Sequence, residues 1–389
     1  MPRLRHLPLI LILTGFIFVM NLPAQSPSAA LKLADEAMSR WPAAQLGAQP
    51  GAADLLVAID AAWAHSADAR YYQYLKSAVD ASLQPDGSST LADSRPLLAL
   101  YRVTLEARYL HAALTLAPQP IAAPAADTPS AAAAKILAAF QADATQPQRP
   151  GVTVLMDAYY NSQQREDASG KPFFFHYKWG ERSDAGFSLV GQLFRDHGAR
   201  LATLAEAPTA ANLSSAQIYL IVSPDNLSKN PHPNVMQADQ ANAIATWVRS
   251  GGVLVLLAND PANTDLDHLN LLSDQFGIHF NSVLRNHVVG DNWEQGRVDV
   301  AAGGPIFRNP HSLYMKDVCT IALSREAVAQ LTKEGEIYMA SAEYGKGTVL
   351  AVVDPWVYNE YADGRKLPAL YDNYAGVAEV IHWLLKRTR

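Results

Sequence analysis

Apolar residues recur at helical spacing in the first part of the chain. Between residues 31 and 117, bulky apolar side chains return every three or four positions, which places them on one face of a helix. The pattern predicts four helices, over residues 54–65, 68–83, 93–104 and 106–117. Short polar breaks between them favour antiparallel neighbours. We therefore expect a small all-α segment here.

The hydrophobic period changes after residue 150. Nearly continuous apolar runs at 152–156, 218–224 and 253–260 predict buried strands, and amphipathic helices are predicted between and after them. This alternation is typical of a parallel sheet that is covered on both faces. Residues 151–389 are therefore expected to form an α/β domain with a flavodoxin-like parallel sheet.

The end of this domain shows a different pattern. Two apolar runs flank Gly345 and Gly347, which predicts a β-hairpin, and a final helix is expected over 374–386. We therefore expect antiparallel additions to the sheet near the C-terminus.

The N-terminal segment is typical of a secretory signal peptide. Basic residues precede the apolar run 7–22, and a stretch of small residues follows, with a cleavage site expected after Ala24. The alternative is a retained membrane anchor, but the run is short for a span of roughly 20 residues. We expect residues 1–24 to direct the protein to the periplasm or the cell exterior, with no membrane contact after cleavage.

An Ala/Pro-rich stretch separates the two patterned regions. Residues 118–150 are predicted to be a linker with one short helix near 131–140. The expected organisation is therefore a signal peptide (1–24), a helical segment (31–117), this linker, and an α/β domain (151–389).

Composition narrows the function classes. The chain has 389 residues, of which 49% are hydrophobic and 17% are charged, so it can form a sizeable core. Its formal net charge of −6 and the lack of a long basic cluster argue against nucleic-acid binding. A single cysteine, Cys319, excludes an intrachain disulfide and a thiolate zinc site.

Polar and aromatic residues follow the predicted strands. Ligands of open α/β sheets bind beyond the carboxyl ends of the strands, where aromatic faces can stack on sugars and carboxylates or amides can accept hydroxyl protons. Asp and Asn also occur at strand ends and helix caps for local reasons, so a purely structural role is the alternative. The candidate ligand-binding residues are Asp157, Tyr159, Asp225, Asn259, Asp260, Asp354, Trp356 and Asn359.

No nucleophile, metal or cofactor motif is visible. The third predicted strand ends in Asn259 and Asp260, where a hydrolase or amidotransferase would need a Ser or Cys on a tight turn. The histidines lack metal-ligand spacing, so no zinc site is expected, and no cofactor is expected either. A divalent ion held by the strand-end aspartates is the alternative, without a loop signature to support it. Asp184, ahead of the predicted helix at 185–198, is expected to be its N-cap.

Both halves resemble one enzyme family. The stretch LADEAMSRWP and the helices that follow resemble the opening helices of unsaturated uronyl hydrolases, glycoside hydrolase families 88 and 105. The segments SDAGFSLVGQLFRDHG, WVRSGGVLVLLAND and DPWVYNEYADGRKLP resemble a domain appended to bacterial unsaturated rhamnogalacturonyl hydrolases. That domain is similar in outline to class I amidotransferase-like folds, which implies such a fold here.

The resemblance implies an acid-catalysed chemistry that this chain carries only in part. Family members enclose their site in a ring of twelve helices, and an Asp protonates the double bond of a 4,5-unsaturated uronic acid. The resemblance makes Asp93 a weak counterpart of one family Asp, but the motif that carries the second is missing. A twelve-helix ring needs roughly 200 residues, far more than 31–117 provides. A partial α/α toroid is therefore expected.

These observations favour an accessory role over catalysis. We expect a secreted protein of uronic-acid polysaccharide breakdown, acting on pectin or rhamnogalacturonan, that binds an oligosaccharide without cleaving it. The alternative is an active unsaturated rhamnogalacturonyl hydrolase, and a third reading is a decayed product that merely folds. Apolar surface left by the partial ring is expected to meet the α/β domain or another copy in a homo-oligomer.

Overall fold

The computed structural model describes residues 28–116, 127–144, 151–166 and 170–388. The predicted signal peptide lies outside these residues. The helices are α1 Ala29–Arg40, α2 Ala43–Leu46, α3 Ala52–Ser66, α4 Ala69–Ser82, α5 Arg95–Thr104, α6 Ala107–Thr115, α7 Pro129–Ala144, α8 Ser188–Asp196, α9 Ala210–Leu213, α10 Ala238–Arg249, α11 Leu266–Ser273, α12 Asn359–Ala362 and α13 Asn373–Arg387.

The first seven helices share one hydrophobic core. Helix α3 lies at its centre and buries Leu55, Leu56 and Ile59 completely. Helix α7 packs against both α1 and α3 and contributes the fully buried Ile136 to the same core. The region predicted as a linker with a short helix at 131–140 therefore contains a longer helix that belongs to the helical segment.

The rest of the chain is a mixed α/β fold built on a large, parallel-rich sheet. Its strands are β1 Thr153–Asp157, β2 Gln164–Glu166, β3 Pro172–Phe174, β4 Arg200–Leu204, β5 Ile218–Val222, β6 Val253–Leu257, β7 Ile278–Arg285, β8 Arg297–Val300, β9 His311–Tyr314, β10 Val318–Leu323, β11 Val328–Lys333, β12 Glu336–Tyr344 and β13 Gly347–Val352.

The main sheet has a parallel half and an antiparallel half. Strands β4, β1, β5, β6 and β13 are parallel neighbours in that order. Strands β12, β10 and β7 continue the sheet in antiparallel pairing, and β11 also pairs with β12. The predicted hairpin at Gly345–Gly347 is confirmed as the β12–β13 turn, and the predicted final helix is confirmed as α13.

The interior strands differ from the edge strand in burial. Every residue of β1, β5, β6 and β13 is buried, because helices or loops cover both faces of the sheet. Strand β4 lies at the edge and is mostly exposed or half-buried. The sequence does not predict this strand, because its residues do not form a continuous apolar run.

Helix α8 begins later than predicted and is capped by a distant residue. It starts at Ser188, so Asp184 is not its N-cap. Asp184 instead pairs with Arg365 and Lys366 on the surface. The side-chain oxygen of Asn359 accepts a hydrogen bond from the Leu189 N–H at 3.2 Å, which satisfies one of the free donors of the first turn.

The helical segment is docked on the α/β domain through polar and aromatic contacts. Arg182 donates two hydrogen bonds of 2.7 Å each to Asp60 on α3. The indole N–H of Trp63 donates to the carbonyl oxygen of Asp363 at 2.8 Å. The Arg182 guanidinium also lies 5.4 Å from the centre of the Trp63 ring. Helix α3 of the helical segment therefore contacts the α/β domain of the same chain.

Candidate functional site

The four predicted aspartates lie along one edge of the sheet. Asp157, Asp225, Asp260 and Asp354 end or follow β1, β5, β6 and β13, which are adjacent parallel strands. The carboxyl ends of parallel strands lie at the same edge of a sheet. All four side chains are almost fully buried, with exposed fractions of 4% or less. They therefore lie beneath the surface of this edge.

Asp157 belongs to a buried polar network with Lys178. Its carboxylate accepts hydrogen bonds from the Tyr219 hydroxyl and the Tyr160 N–H, both at 2.8 Å. Burial raises the pKa of Asp157 to about 6, and burial also lowers the pKa of Lys178 to about 8. The Lys178 ammonium donates to the backbone and side-chain oxygens of Asn161 at 2.8 and 2.9 Å. This network fixes the loop after β1.

Asp225 holds the loops on either side of it. It accepts hydrogen bonds from the Ser162 N–H at 2.9 Å, from the Gln163 amide at 2.6 Å and from the Asn230 amide at 3.2 Å. These donors come from two different loops, one after β1 and one after β5. Asp225 therefore fixes the positions of side chains that are closer to solvent than itself.

Asn259 and Asp260 serve the loop that follows β6. The Asn259 oxygen accepts the Asp260 N–H at 2.8 Å, and its amide donates to the Tyr358 hydroxyl at 3.4 Å. Asp260 accepts hydrogen bonds from the Ala262 N–H at 2.8 Å and the Asn263 amide at 2.5 Å. The bonds of Asp260 form a local turn. Ligand binding by Asn259 and Asp260 stays a prediction.

A serine in a strained backbone position follows β5. Ser223 has a φ of 42°, a value that L-residues rarely adopt, and it is 2% exposed. Its hydroxyl lies 3.0 Å from the Asn263 carbonyl oxygen and 2.8 Å from the Thr264 hydroxyl. Its polar contacts therefore connect the loops after β5 and β6 beneath the surface.

Asp354 is buried beside Lys316. One of its oxygens accepts the Lys316 N–H at 3.0 Å, and the other has no hydrogen-bond partner among the described residues. Burial raises the pKa of Asp354 well above its usual range, which favours the neutral carboxyl. A neutral carboxyl can occupy this position at a much lower cost than an unpaired carboxylate.

The remaining candidates differ in exposure. Trp356 is 1% exposed and packs against Gly376 of α13, where a Cβ would lie 3.4 Å from the indole ring. Asn359 is 2% exposed and donates to the carbonyl oxygen of Glu181 at 3.0 Å as well as capping α8. Tyr159 is half-buried, and its carbonyl oxygen accepts the Asn234 amide at 2.9 Å. Ligand binding by these three residues stays a prediction.

An open crevice lies above Asp157 and Asp225. We call it the switch-point crevice because residues that follow β1, β4 and β5 line it, and the order of the parallel strands reverses between β1 and β5. Its volume is about 520 Å³. It is lined by polar, aromatic and basic side chains, namely Gln163, Gln164, Phe174, Phe175, Lys229, Asn230, His232 and Asn234.

None of these lining residues is among the candidates predicted from the sequence. The aromatic run at 173–175 forms strand β3 and the residue after it, next to the loop that holds Asp225's partners. The loop 226–237 contributes Lys229, Asn230, His232 and Asn234. Three consecutive aromatic residues in a polar region, and an Asn/Pro-rich loop directly after a buried strand, were the available signals.

The candidate catalytic residue Asp93 lies in the helical segment, on the surface. Its carboxylate accepts hydrogen bonds from the N–H and the guanidinium of Arg95 at 2.7 and 2.6 Å. Arg95 also pairs with Asp54 at 2.7 Å. Asp93 therefore belongs to a partly exposed ion-pair cluster, and it remains only a weak candidate for catalysis.

No group of three or more His, Cys, Asp or Glu side chains in the described part of the chain is arranged to hold a metal ion. No described helix is long and apolar enough to cross a membrane.

Comparisons with known proteins do not assign a family. No family model and no curated protein matches this chain. Among solved structures, the mmIFT52 N-terminal domain is 14% identical with a TM-score of 0.45, over 60% of this chain and 97% of that one.

Two glycoside hydrolases are also similar in part. The exo-β-1,4-mannosidase Op5Man5 from Opitutaceae bacterium strain TAV5 is 14% identical with a TM-score of 0.34, over 58% of this chain and 35% of its own. The GH42 β-galactosidase Gan42B is 15% identical with a TM-score of 0.33, over 59% of this chain and 31% of its own. The match thus spans about a third of each enzyme. Similarities this low carry no argument about function.

Proposed function

We propose that this protein is a secreted accessory protein of uronic-acid polysaccharide breakdown, and that it binds acidic oligosaccharides in the switch-point crevice without cleaving them. The observation that carries the proposal is the composition of this crevice at a strand-order reversal. The parallel order β4-β1-β5-β6-β13 supports a flavodoxin-like sheet, similar in outline to class I amidotransferase-like folds. Ligands of such sheets bind at this position.

The lining suits a sugar that carries a carboxylate. Amides of Gln163, Asn230 and Asn234 can donate to and accept from hydroxyl groups. Phe174, which is 42% exposed, offers an apolar face to the C–H surface of a sugar ring. Lys229 supplies a cation for a uronic-acid carboxylate. Together these groups match the chemistry of acidic oligosaccharides.

The same geometry favours binding over catalysis. A general acid must come within hydrogen-bond reach of its substrate. Asp157 and Asp225 are 1% and 0% exposed, and their carboxylates accept hydrogen bonds from the protein itself. They are better suited to holding the crevice in shape than to transferring a proton to a sugar.

The binding proposal is tested by calorimetry on the purified protein with rhamnogalacturonan oligosaccharides. We expect Phe174→Ala and Lys229→Met each to weaken binding roughly tenfold, a loss of about 1.4 kcal/mol. Phe173→Ala is the matched control, because Phe173 is similarly exposed on the same strand but does not line the crevice. Equal affinities for the three variants and the unmodified protein would refute the crevice as the binding site.

The alternative function is that of an unsaturated rhamnogalacturonyl hydrolase. It predicts that the protein removes the ultraviolet absorbance of a 4,5-unsaturated rhamnogalacturonan disaccharide and that Asp93→Asn abolishes this activity. The accessory role predicts a constant absorbance. Export is tested separately by cell fractionation, which should locate the protein in the periplasm or the medium.

A further inference from the structure

A second pocket opens near β9 and α12. Its volume is about 400 Å³. The side chains that matter are Trp293, Tyr314, Tyr361, Lys316 and Lys366, and we call it the aromatic–lysine pocket. None of these residues lines the switch-point crevice. The two cavities are therefore separate sites.

The aromatic wall of this pocket is well supported. Tyr314 is 1% exposed, and its ring packs against Trp293 and Tyr361 with centroid distances of 5.3 and 5.0 Å. The hydroxyl of Tyr371 donates to the carbonyl oxygen of Trp293 at 2.8 Å, which fixes the loop that carries the indole. The wall can therefore offer an apolar face to a ring without a large loss of side-chain freedom.

The two lysines of the pocket differ in their partners. The Lys366 ammonium pairs with Asp184 at 2.6 Å and with Glu360 at 2.5 Å, so its charge is compensated. The Lys316 ammonium lies 5.7 Å from the centre of the Tyr361 ring and forms no ion pair within the described part of the chain. Asp291 also lines the pocket but is exposed and does not pair with Lys316. Lys316 is the cation available to an incoming anion.

A hydrogen bond to a buried carboxyl fixes the backbone of Lys316. Its N–H donates to the buried Asp354 at 3.0 Å, as described above. Because burial raises the pKa of Asp354 and favours its neutral form, this carboxyl does little to cancel the Lys316 charge. The pocket thus combines a lysine whose backbone is held in place with a packed aromatic wall.

We propose that the aromatic–lysine pocket binds the carboxylate of a single uronic-acid residue, with Lys316 paired to the carboxylate and Trp293 and Tyr361 packed against the sugar ring. A charge-assisted pair to a carboxylate is stronger than a neutral hydrogen bond. Aromatic faces contribute contact area with little entropy loss. This proposal rests on the proposed function, which names the polymer that carries the uronic-acid residue. It adds a second site at which the protein contacts that polymer.

The experiment uses nuclear magnetic resonance of the purified protein, with D-galacturonate and the neutral D-galactose as probes. The indole N–H signal of Trp293, identified by its loss in Trp293→Phe, is followed during titration. We expect a saturable shift with galacturonate and at least tenfold weaker binding of galactose. Lys316→Met should weaken galacturonate binding at least tenfold, whereas Lys316→Arg should retain it. Lys346→Met is the control, because Lys346 is an exposed lysine in the β12–β13 turn.

Several outcomes would overturn the pocket assignment. They are an absent Trp293 shift, equal shifts with the two sugars, or an affinity that Lys316→Met leaves unchanged. If oligosaccharide binding is lost in Phe174→Ala but not in Lys316→Met, this pocket is refuted and the proposed function stands. If galacturonate shifts Trp293 while Phe174→Ala leaves oligosaccharide affinity intact, the crevice is refuted and this pocket stands.

Discussion

At the scale of single residues, the polar groups of the carboxyl edge mainly hold other groups in place. Asp225 is completely buried, yet its partners Gln163 and Asn230 reach the crevice surface. A buried donor that loses its acceptor costs about 1–3 kcal/mol. The shape of the crevice therefore depends on a carboxylate that does not line it.

Replacing Asp225 tests this dependence. We expect Asp225→Ala to lower the free energy of unfolding by about 3 kcal/mol or more, because it removes the acceptor of three hydrogen bonds. Urea denaturation measures the change. Glu326→Ala is the control, because Glu326 is exposed, and it should change stability by less than about 0.5 kcal/mol. If Asp225→Ala lowered the free energy of unfolding as little as the control does, the positioning role of Asp225 would be contradicted.

Asp157 should make stability depend on pH. Its pKa is about 6 in the folded protein because of burial, against about 3.9 when unfolded, so the folded state holds the proton more tightly. Its contribution to stability is present below about pH 4 and is lost as pH rises through 6, a change of about 2–3 kcal/mol.

The pH effect is measured as the difference in the free energy of unfolding between two proteins. Denaturation of the unmodified protein and of Asp157→Asn is measured from pH 4 to 7. We expect the unmodified protein to lose stability relative to the variant as pH rises, because Asn does not ionise. Asp363, whose pKa burial also raises to about 6, contributes equally to both curves and cancels. Parallel curves would refute the assignment.

At the scale of elements, Asn359 connects two segments that lie far apart in sequence. Its oxygen caps α8 through Leu189, and its amide donates to Glu181 and to the Ser188 hydroxyl, both at 3.0 Å. Losing a helix cap costs about 1 kcal/mol, and unpaired buried groups add to this. We expect Asn359→Ala to lower the free energy of unfolding, measured by urea denaturation, by about 2–3 kcal/mol. Asp184→Ala, at the position first expected to cap α8, should cost about 1 kcal/mol or less. Equal losses would contradict the capping role of Asn359.

The elements that could be predicted from sequence are those with local signals. Strands β1, β5 and β6 are continuous apolar runs, and the β12–β13 hairpin is marked by its glycines. Strand β4 and the cap of α8 could not be predicted in the same way. Edge burial and a hydrogen bond across 170 positions depend on the completed fold rather than on neighbouring residues.

Likewise, only part of the candidate site could be predicted from the sequence. The topology brings Asp157, Asp225, Asp260 and Asp354 to one edge, as the strand ends indicated. Sequence could not show that these side chains are covered, because their burial depends on loops that pack across the edge. It also could not show that the crevice surface is formed by Phe174 and Lys229, which lie in segments without strong periodicity.

At the scale of the whole molecule, the helical segment and the α/β domain are joined through a largely buried ion pair. Arg182 and Asp60 have side chains that are 20% and 18% exposed and make two parallel hydrogen bonds. Breaking a buried pair from one side costs about 3–5 kcal/mol because a charge is left without a partner. We therefore expect this contact to help hold the two halves together.

A double-mutant cycle tests whether this pair links the two halves. We expect Arg182→Ala and Asp60→Ala each to destabilise the protein by about 3 kcal/mol, and the double variant to cost less than their sum by about 2 kcal/mol. The matched control is the surface pair Arg40 and Asp127, 54% and 80% exposed, whose coupling should stay below about 1 kcal/mol. Calorimetry should also show the helical segment melting earlier in Arg182→Ala. Additive effects with a single unchanged transition would mean that this ion pair does not link the two halves.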